Sequence, residues 1–211
     1  MYKLLSAKPS PYARKVRIQL AEKGIPFELL TDVPWNSDTQ TPRFNPLEKL
    51  PVLICPDGST VFESRLINEW IELKHPEHPL MPRDVDGILA VKRFEVLADG
   101  ACDALILQIF ENARGEGLRS QPWLDRQRRK VDGVLRELAR LLGDRAYCHG
   151  DAFTLADVAT GTLLGYMAVR WPQLRWQDEY PQLAAYHERM DARPSFAATR
   201  PEPQVISDRV V

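Results

Sequence analysis

The sequence predicts an α/β domain followed by an all-α domain. Over the first 75 residues, short apolar runs of strand length alternate with helical patterns, and this segment holds eight of the seventeen prolines. Beyond residue 83 the strand patterns stop, and long apolar repeats of helical period follow one another. The stretch HPEHPLMPR, residues 75–83, is too rich in proline for a helix or a central strand, so the domain boundary is expected there.

The first domain begins with a strand, a helix and a second strand. Residues 2–5 are apolar and short enough for a strand, and residues 11–23 carry apolar side chains at helical spacing. Gly24 follows at the position where helices commonly stop. Residues 27–30 are again typical of a strand, so the three elements predict a parallel βαβ unit with a right-handed crossover.

A hairpin and a helix complete this domain after a long loop. Residues 52–54 and 60–62 flank the turn sequence Pro56-Asp57-Gly58, which is typical of an antiparallel pair. Ser64 then stands where it could cap a helix that directs Leu66, Ile67, Trp70 and Ile71 inward.

Four long helical patterns make up the second domain. Glycine or proline separates one from the next, as is usual at helix ends. The patterns span residues 88–112, 122–142, 155–169 and 181–191. A tail without periodic pattern begins at Pro201 and is predicted to be disordered.

Composition excludes several classes of function. The 28 basic and 29 acidic residues nearly balance, so no chain-wide field attracts nucleic acid or an anionic membrane. No apolar run approaches the length of a membrane span, and the apolar stretch at the start is too short for a signal peptide, so the cytoplasm is the expected location. Cys55, Cys102 and Cys148 are odd in number and lack C-x-x-C spacing, which favours reduced, structural thiols.

Ser10 begins the most informative motif of the chain. A serine directly before a proline at the first helical position is a strong helix-capping signature. The helix start that follows is basic, with Arg14, Lys15 and Arg17, although acids are the usual residues there. Such an end favours an anion, and a serine hydroxyl facing it could donate a hydrogen bond to a thiolate or an oxyanion.

Two further motifs each allow a structural and a functional interpretation. Pro51 precedes a strand, where it could be an ordinary trans proline or form a cis bond with Leu50 that turns the Leu50 backbone towards an extended peptide. Glu63 and Ser64 could cap the next helix, or they could form a site for a carboxylate at its N-terminus.

In order and spacing, these motifs resemble those of the glutathione S-transferase family over essentially the whole chain. The resemblance implies a thioredoxin-like domain of order β-α-β-α-β-β-α in residues 1–76, a linker in residues 77–86 and a helical domain in residues 87–211. It is carried by SPYARKVR from Ser10, by Asn45-Pro46 with Leu50-Pro51-Val52-Leu53, by Glu63-Ser64 in FESRLINEWI, and by Thr154-x-x-Asp157, which resembles the family's buried capping box.

The resemblance also implies a set of glutathione-binding residues. Leu50 and Pro51 would form the cis bond, with the Leu50 backbone paired to the cysteinyl part of glutathione, and Glu63 and Ser64 would hold the γ-glutamyl group. Asn36 or Lys49 would reach the glycyl end. Ser10 would be the catalytic residue, since relatives with tyrosine at this position use a phenol and relatives with cysteine exchange disulfides.

The energies suffice for this role of Ser10. Lowering the pKa of a thiol by about two units from ~8.5 requires about 2.7 kcal/mol. A hydrogen bond to a charged group supplies roughly 1.5–3 kcal/mol, and a helix N-terminus adds roughly 0.3–2 kcal/mol.

With this resemblance, the sequence predicts a homodimeric glutathione transferase that conjugates glutathione to small apolar electrophiles. Its expected role is detoxification. Glutathione is the co-substrate, and no other cofactor is expected. No metal is expected, because Pro76 and the linker context of His75 and His78 argue against a preformed zinc site. Tyr12, Trp35 and helix 88–112 could face the electrophile, and Asp99 or Asp103 could act across the dimer. Two alternatives stay open: a glutathione-binding regulatory protein without catalysis, and a glutathione-dependent peroxidase.

Overall fold

The computed structural model describes residues 1–202 and 204–206, which form two compact units. Met1–Met81 and the described residues from Asp191 onward make the first unit, and Pro82–Met190 make the second. The predicted disordered tail lies in part outside the described residues, at Pro203 and residues 207–211.

The first unit contains a four-stranded mixed sheet of order β2-β1-β3-β4. Strand β1 pairs in parallel with β2 and antiparallel with β3, and β3 pairs antiparallel with β4. The predicted thioredoxin-like fold is therefore confirmed. Its elements are β1 Tyr2–Ser6, α1 Pro11–Glu22, β2 Phe27–Thr31, β3 Val52–Ile54, β4 Thr60–Phe62 and α2 Ser64–Lys74.

One element differs from the predicted order. The helix expected between β2 and β3 is a single 3-10 turn, Thr41–Arg43. Pro34, Pro42 and Pro46 divide this segment, and each lacks the N–H that a continuous helix requires. The predicted helix is therefore wrong, and the long loop that the local pattern indicates is correct.

The two faces of the sheet are buried by different side chains. Adjacent residues of a strand point to opposite faces, so Leu4 and Leu5 belong to separate clusters. Leu4 packs with Val16 and Leu20 of α1 and with residues of α2. On the other face, Leu5 packs with Ala7, Leu50 and Val52, which ties the start of β3 to the loop after β1.

The C-terminal segment of the first unit packs against α1. Arg14 is buried, and its Nη2 donates to the Phe196 carbonyl at 3.1 Å and lies 3.7 Å from Asp191 Oδ1. At the other end of α1, Glu22 pairs with Arg193 at 2.7 Å. The domain boundaries stay a prediction, and this packing is a feature that the sequence patterns did not indicate.

The second unit is helical, as predicted. Helix α3 packs against both α4 and α5, and α5 is buried along most of its length. No helix of the described residues is apolar over enough of its length to cross a bilayer. The helices that follow α2 in the chain are α3 Val85–Ala113, α4 Gln121–Leu142, α5 Leu155–Arg170, α6 Trp176–Glu179, α7 Pro181–Asp191 and α8 Pro194–Ala197.

The predicted capping box at the start of α5 is confirmed and belongs to a larger buried network. Asp157 accepts from the Thr154 N–H at 2.8 Å, from the Cys148 N–H at 2.8 Å and from the Tyr186 hydroxyl at 2.9 Å. Its side chain is fully buried, so these bonds replace all contact with water. Burial also raises the pKa of the Cys148 thiol, which keeps it protonated.

Candidate functional site

The strand register brings the three predicted motifs to one edge of the sheet. Leu5 pairs with Val52, and Val52 pairs with Phe62. One step beyond these partners, β1 ends, β3 begins after Pro51, and β4 ends before Glu63. The loop to Ser10, the Leu50–Pro51 bond and the start of α2 therefore lie side by side.

Ser10 is the N-cap of α1. Its Oγ accepts from the Ala13 N–H at 3.2 Å, and its own N–H donates to the Ala7 carbonyl at 3.1 Å. The predicted capping role is confirmed. Because the hydroxyl uses a lone pair in this bond, its hydrogen can still be donated to an acceptor placed at the helix end. Ser10 is half-buried, so a ligand can reach it.

One basic residue of α1, Arg14, is placed differently from the expectation. The Arg14 guanidinium points to the C-terminal segment, where Phe196 and Asp191 receive it, and burial lowers the pKa of Arg14 to about 10. Its charge is thus used inside the fold, because a buried guanidinium requires a counter-charge and acceptors. The positive character of the helix start then comes from the aligned peptide dipoles of α1 itself.

The predicted cis bond between Leu50 and Pro51 is confirmed. Both residues are buried, and Leu50 packs against Leu5, Ala7 and Val52. Asn45 holds the preceding turn, since its Nδ2 donates to the Lys49 carbonyl at 2.7 Å.

Glu63, rather than Ser64, caps α2. Its Oε2 accepts from the Arg65 and Leu66 N–H groups at 3.2 and 3.3 Å, whereas Ser64 is the first helical residue and is buried. The predicted Ser64 cap is therefore wrong, because the longer glutamate side chain folds back over the helix end. Glu63 also has φ +74°, a conformation that costs a non-glycine residue roughly 1–3 kcal/mol and is concentrated at functional sites.

The remaining predicted contacts lie in or near the loop between β2 and β3. Asn36 is half-buried, and its N–H donates to the Val33 carbonyl at 3.0 Å. The Lys49 side chain is exposed. Their role at the glycyl end of glutathione stays a prediction.

Asp32 organises this loop, and sequence reasoning missed it. Its Oδ2 accepts from the Thr39 hydroxyl at 2.7 Å, the Thr41 hydroxyl at 2.8 Å, and the Gln40 and Thr41 N–H groups at 3.0 Å. Its Oδ1 accepts from the Val33 N–H at 2.8 Å. An aspartate followed seven and nine residues later by threonine was the available signal.

We expect Asp32→Ala to lower the free energy of unfolding by about 1–3 kcal/mol, because the buried Thr41 loses its acceptor. Burial disfavours the Asp32 carboxylate, but these hydrogen bonds outweigh it and hold the pKa of Asp32 below its ordinary value. Such a carboxylate stabilises the fold above its unfolded pKa of ~3.9, and this contribution is lost as the pH falls through the folded pKa.

Acid unfolding followed by circular dichroism tests the role of Asp32. The variant should lose stability at neutral pH and show a shallower loss on acidification than the wild type. Identical acid profiles for the two proteins would contradict it.

The predicted electrophile-facing residues are differently exposed. In α3, Phe94, Ala101 and Leu105 are buried in the core, and Leu97 and Ile109 are half-buried. Tyr12 is half-buried and Trp35 is exposed, while Asp99 is buried and Asp103 is exposed. Their roles toward an electrophile or across a dimer stay predictions.

Comparison with known proteins identifies the family. Residues 9–74 match the family model for the glutathione S-transferase N-terminal domain, and residues 121–189 match the model for its C-terminal domain. A GST-like protein of Escherichia coli K12, YibF, is 38% identical over 94% of this chain and 98% of its own length. The chain belongs to the glutathione S-transferase family.

Solved structures of family members share the fold of this chain. A glutathione S-transferase of Methylobacterium radiotolerans, in complex with glutathione sulfonate, is 60% identical with a TM-score of 0.98, covering 100% of this chain and 99% of its own. A glutathione S-transferase of Methylobacillus flagellatus with bound glutathione is 39% identical with a TM-score of 0.92, covering 96% and 100%. Glutathione binding is thus shown in close structural relatives.

Proposed function

We propose that this protein is a glutathione transferase in which Ser10 stabilises the glutathione thiolate. The observation that carries the proposal is the position of the Ser10 hydroxyl. It lies at the N-terminus of α1, and the strand register places the Leu50–Pro51 bond and Glu63 at the same edge of the sheet. The glutathione complexes of the similar structures support the choice of ligand.

Each part of glutathione has a chemically suitable partner at this edge. The Leu50 backbone would pair with the cysteinyl residue as one strand pairs with another. The ammonium of the γ-glutamyl group would meet the Glu63 carboxylate, and its α-carboxylate would meet the Ser64 hydroxyl and the N-terminus of α2. These contacts would place the sulfur beside Ser10, with Asn36 or Lys49 towards the glycyl carboxylate.

The Ser10 hydroxyl is a hydrogen-bond donor in this mechanism, because an alcohol is too weak a base to remove a thiol proton near neutral pH. The thiol releases its proton to solvent, and the thiolate is held by the hydroxyl and by the dipole of α1. The thiolate then attacks the electrophile, forming a carbon–sulfur bond as the leaving group departs with its electron pair. Glutathione is the co-substrate, and this activation calls on no metal or other cofactor.

The proposal includes the location, the oligomeric state and the role of the enzyme. The three cysteines are buried and joined by no disulfide, which suits the reducing cytoplasm. We infer a homodimer that acts on small apolar electrophiles, with detoxification as its role.

Steady-state turnover of glutathione with a chloronitrobenzene tests the proposed activity. We expect the glutathionyl product to form with release of chloride, at a rate that rises with pH as thiolate accumulates. Calorimetry in parallel measures glutathione binding. Binding without any turnover would overturn the transferase and favour the regulatory protein, and oxidation of glutathione by an organic hydroperoxide without conjugation would favour the peroxidase.

A further inference from the structure

A pocket in the first unit lies apart from the proposed glutathione site. It has a volume of about 170 Å³ and is called here the Arg17 pocket. None of the predicted glutathione-binding residues lines it. Its lining includes Ser6 at the end of β1, Thr31 at the end of β2, Lys8, Arg17 of α1, and Arg200 and Glu202 of the C-terminal segment.

The pocket is on the α1 side of the sheet. Ser6 has the strand phase of Leu4, which packs against Val16 and Leu20 of α1. Leu50, in contrast, packs with Leu5 on the opposite face. A molecule in the Arg17 pocket would therefore contact α1 along its side, whereas glutathione is proposed to contact its N-terminus.

Positive charge exceeds negative charge around this pocket. Lys8 pairs with Glu202 at 2.5 Å, and Arg200 pairs with Asp191 at 2.6 Å. Asp191 is also the carboxylate nearest to Arg14, at 3.7 Å. The lining itself holds three cations, Lys8, Arg17 and Arg200, and one carboxylate, Glu202, and the charges of Arg14 and Asp191 beyond it cancel, which leaves an excess of two positive charges.

Arg17 differs from these paired cations. Among residues 1–202 and 204–206, no hydrogen bond or ion pair reaches its guanidinium, and only the more distant charge of Glu202 compensates it. It is nevertheless half-buried, and burial lowers its pKa, so it has lost hydration without gaining acceptors. A guanidinium in this state is a preformed donor for two oxygens of an oxyanion.

We propose that the Arg17 pocket binds a doubly charged tetrahedral oxyanion, either inorganic phosphate or the phosphate group of a small monoester. A dianion matches the excess of two charges. Arg17 would donate two parallel hydrogen bonds, Lys8 would supply a point charge, and the Thr31 hydroxyl would supply a further donor.

Glu202 opposes the anion in this arrangement. It is the acid that lines the pocket, and its carboxylate occupies Lys8. Because both partners of that pair are more than half exposed, the pair is weak, and an incoming dianion can compete with Glu202 for Lys8. Removing the Glu202 charge should therefore tighten anion binding.

Phosphate titration monitored by amide chemical shifts tests the proposal, at constant ionic strength maintained with chloride. Residues around Arg17 should shift on addition of inorganic phosphate, and the shifts should persist with glutathione at saturation. Arg17→Gln should weaken binding at least about tenfold, the effect of losing one charge-assisted bidentate contact. Glu202→Gln should strengthen it, and a phosphate monoester in place of phosphate shows which source binds better.

Arg126→Gln is the matched control, since Arg126 is an exposed arginine of α4. It should bind phosphate as the wild type does. Three results would each overturn the proposal. The first is the absence of a saturable shift, and the second is equal phosphate affinity of the wild type and Arg17→Gln when circular dichroism shows both proteins folded. The third is loss of the phosphate shifts when glutathione binds. This third result would mean that phosphate binds in the glutathione site, and the proposed transferase activity would be unaffected by it.

Discussion

Ser10→Ala should lower the conjugation rate near neutral pH about tenfold or more while leaving glutathione bound. The Ser10 hydroxyl is proposed to donate to the thiolate, and such a bond to a charged acceptor contributes roughly 1.5–3 kcal/mol. Losing about 1.4 kcal/mol raises the pKa of the bound thiol by about one unit, which leaves about one tenth of the thiolate. The rate deficit should shrink as the pH approaches the raised thiol pKa.

The same change removes a helix cap, so controls must separate folding from chemistry. Loss of the bond between Ser10 Oγ and the Ala13 N–H should lower the free energy of unfolding by about 0.5–2 kcal/mol. Ser10→Thr retains both the cap and the donor. Ser10→Asp retains the cap but places a negative charge where a donor is needed. Normal activity in Ser10→Asp would contradict the proposed role, since capping alone would then explain the residue.

Asp157→Ala should destabilise the second unit by about 3 kcal/mol or more. The substitution leaves the N–H groups of Thr154 and Cys148 and the Tyr186 hydroxyl without their acceptor. All three residues are buried, and each unsatisfied group costs about 1–3 kcal/mol. Denaturant unfolding measures the loss.

Asp151→Ala provides the control for Asp157, because it removes an exposed aspartate in the preceding turn. Its free energy of unfolding should change by less than about 0.5 kcal/mol. If Asp157→Ala were as stable as Asp151→Ala, water or a rearranged neighbour would be replacing the carboxylate, and the structural role of Asp157 would be wrong.

Most of the architecture could be predicted from local patterns. The hairpin strands Val52–Ile54 and Thr60–Phe62 have the predicted bounds, because apolar runs beside a Pro-Asp-Gly turn leave little choice of register. The long helices begin and end within a few residues of their predicted limits, since glycine and proline mark their ends. The family resemblance added the cis Leu50–Pro51 bond, which a single proline could not indicate alone.

The sequence could not indicate contacts that depend on distant packing. Arg14 was interpreted as a charge for an anion at the helix start. Its guanidinium instead contacts Asp191 and Phe196, which lie at least 177 positions later in the sequence. The Asp32 network depends on a loop conformation that no periodic pattern encodes. The choice between Glu63 and Ser64 as the cap of α2 could not be made from sequence, because it depends on the positive φ of Glu63 and on its side chain folding back over the helix end.

Ultraviolet difference titration of the glutathione complex tests the central claim most directly, because thiolate and thiol absorb differently. We expect bound glutathione to lose its proton about one to two pH units below free glutathione, and Ser10→Ala to move that transition back towards the free value. A bound thiol that titrates like free glutathione would contradict the account, whatever the turnover rate.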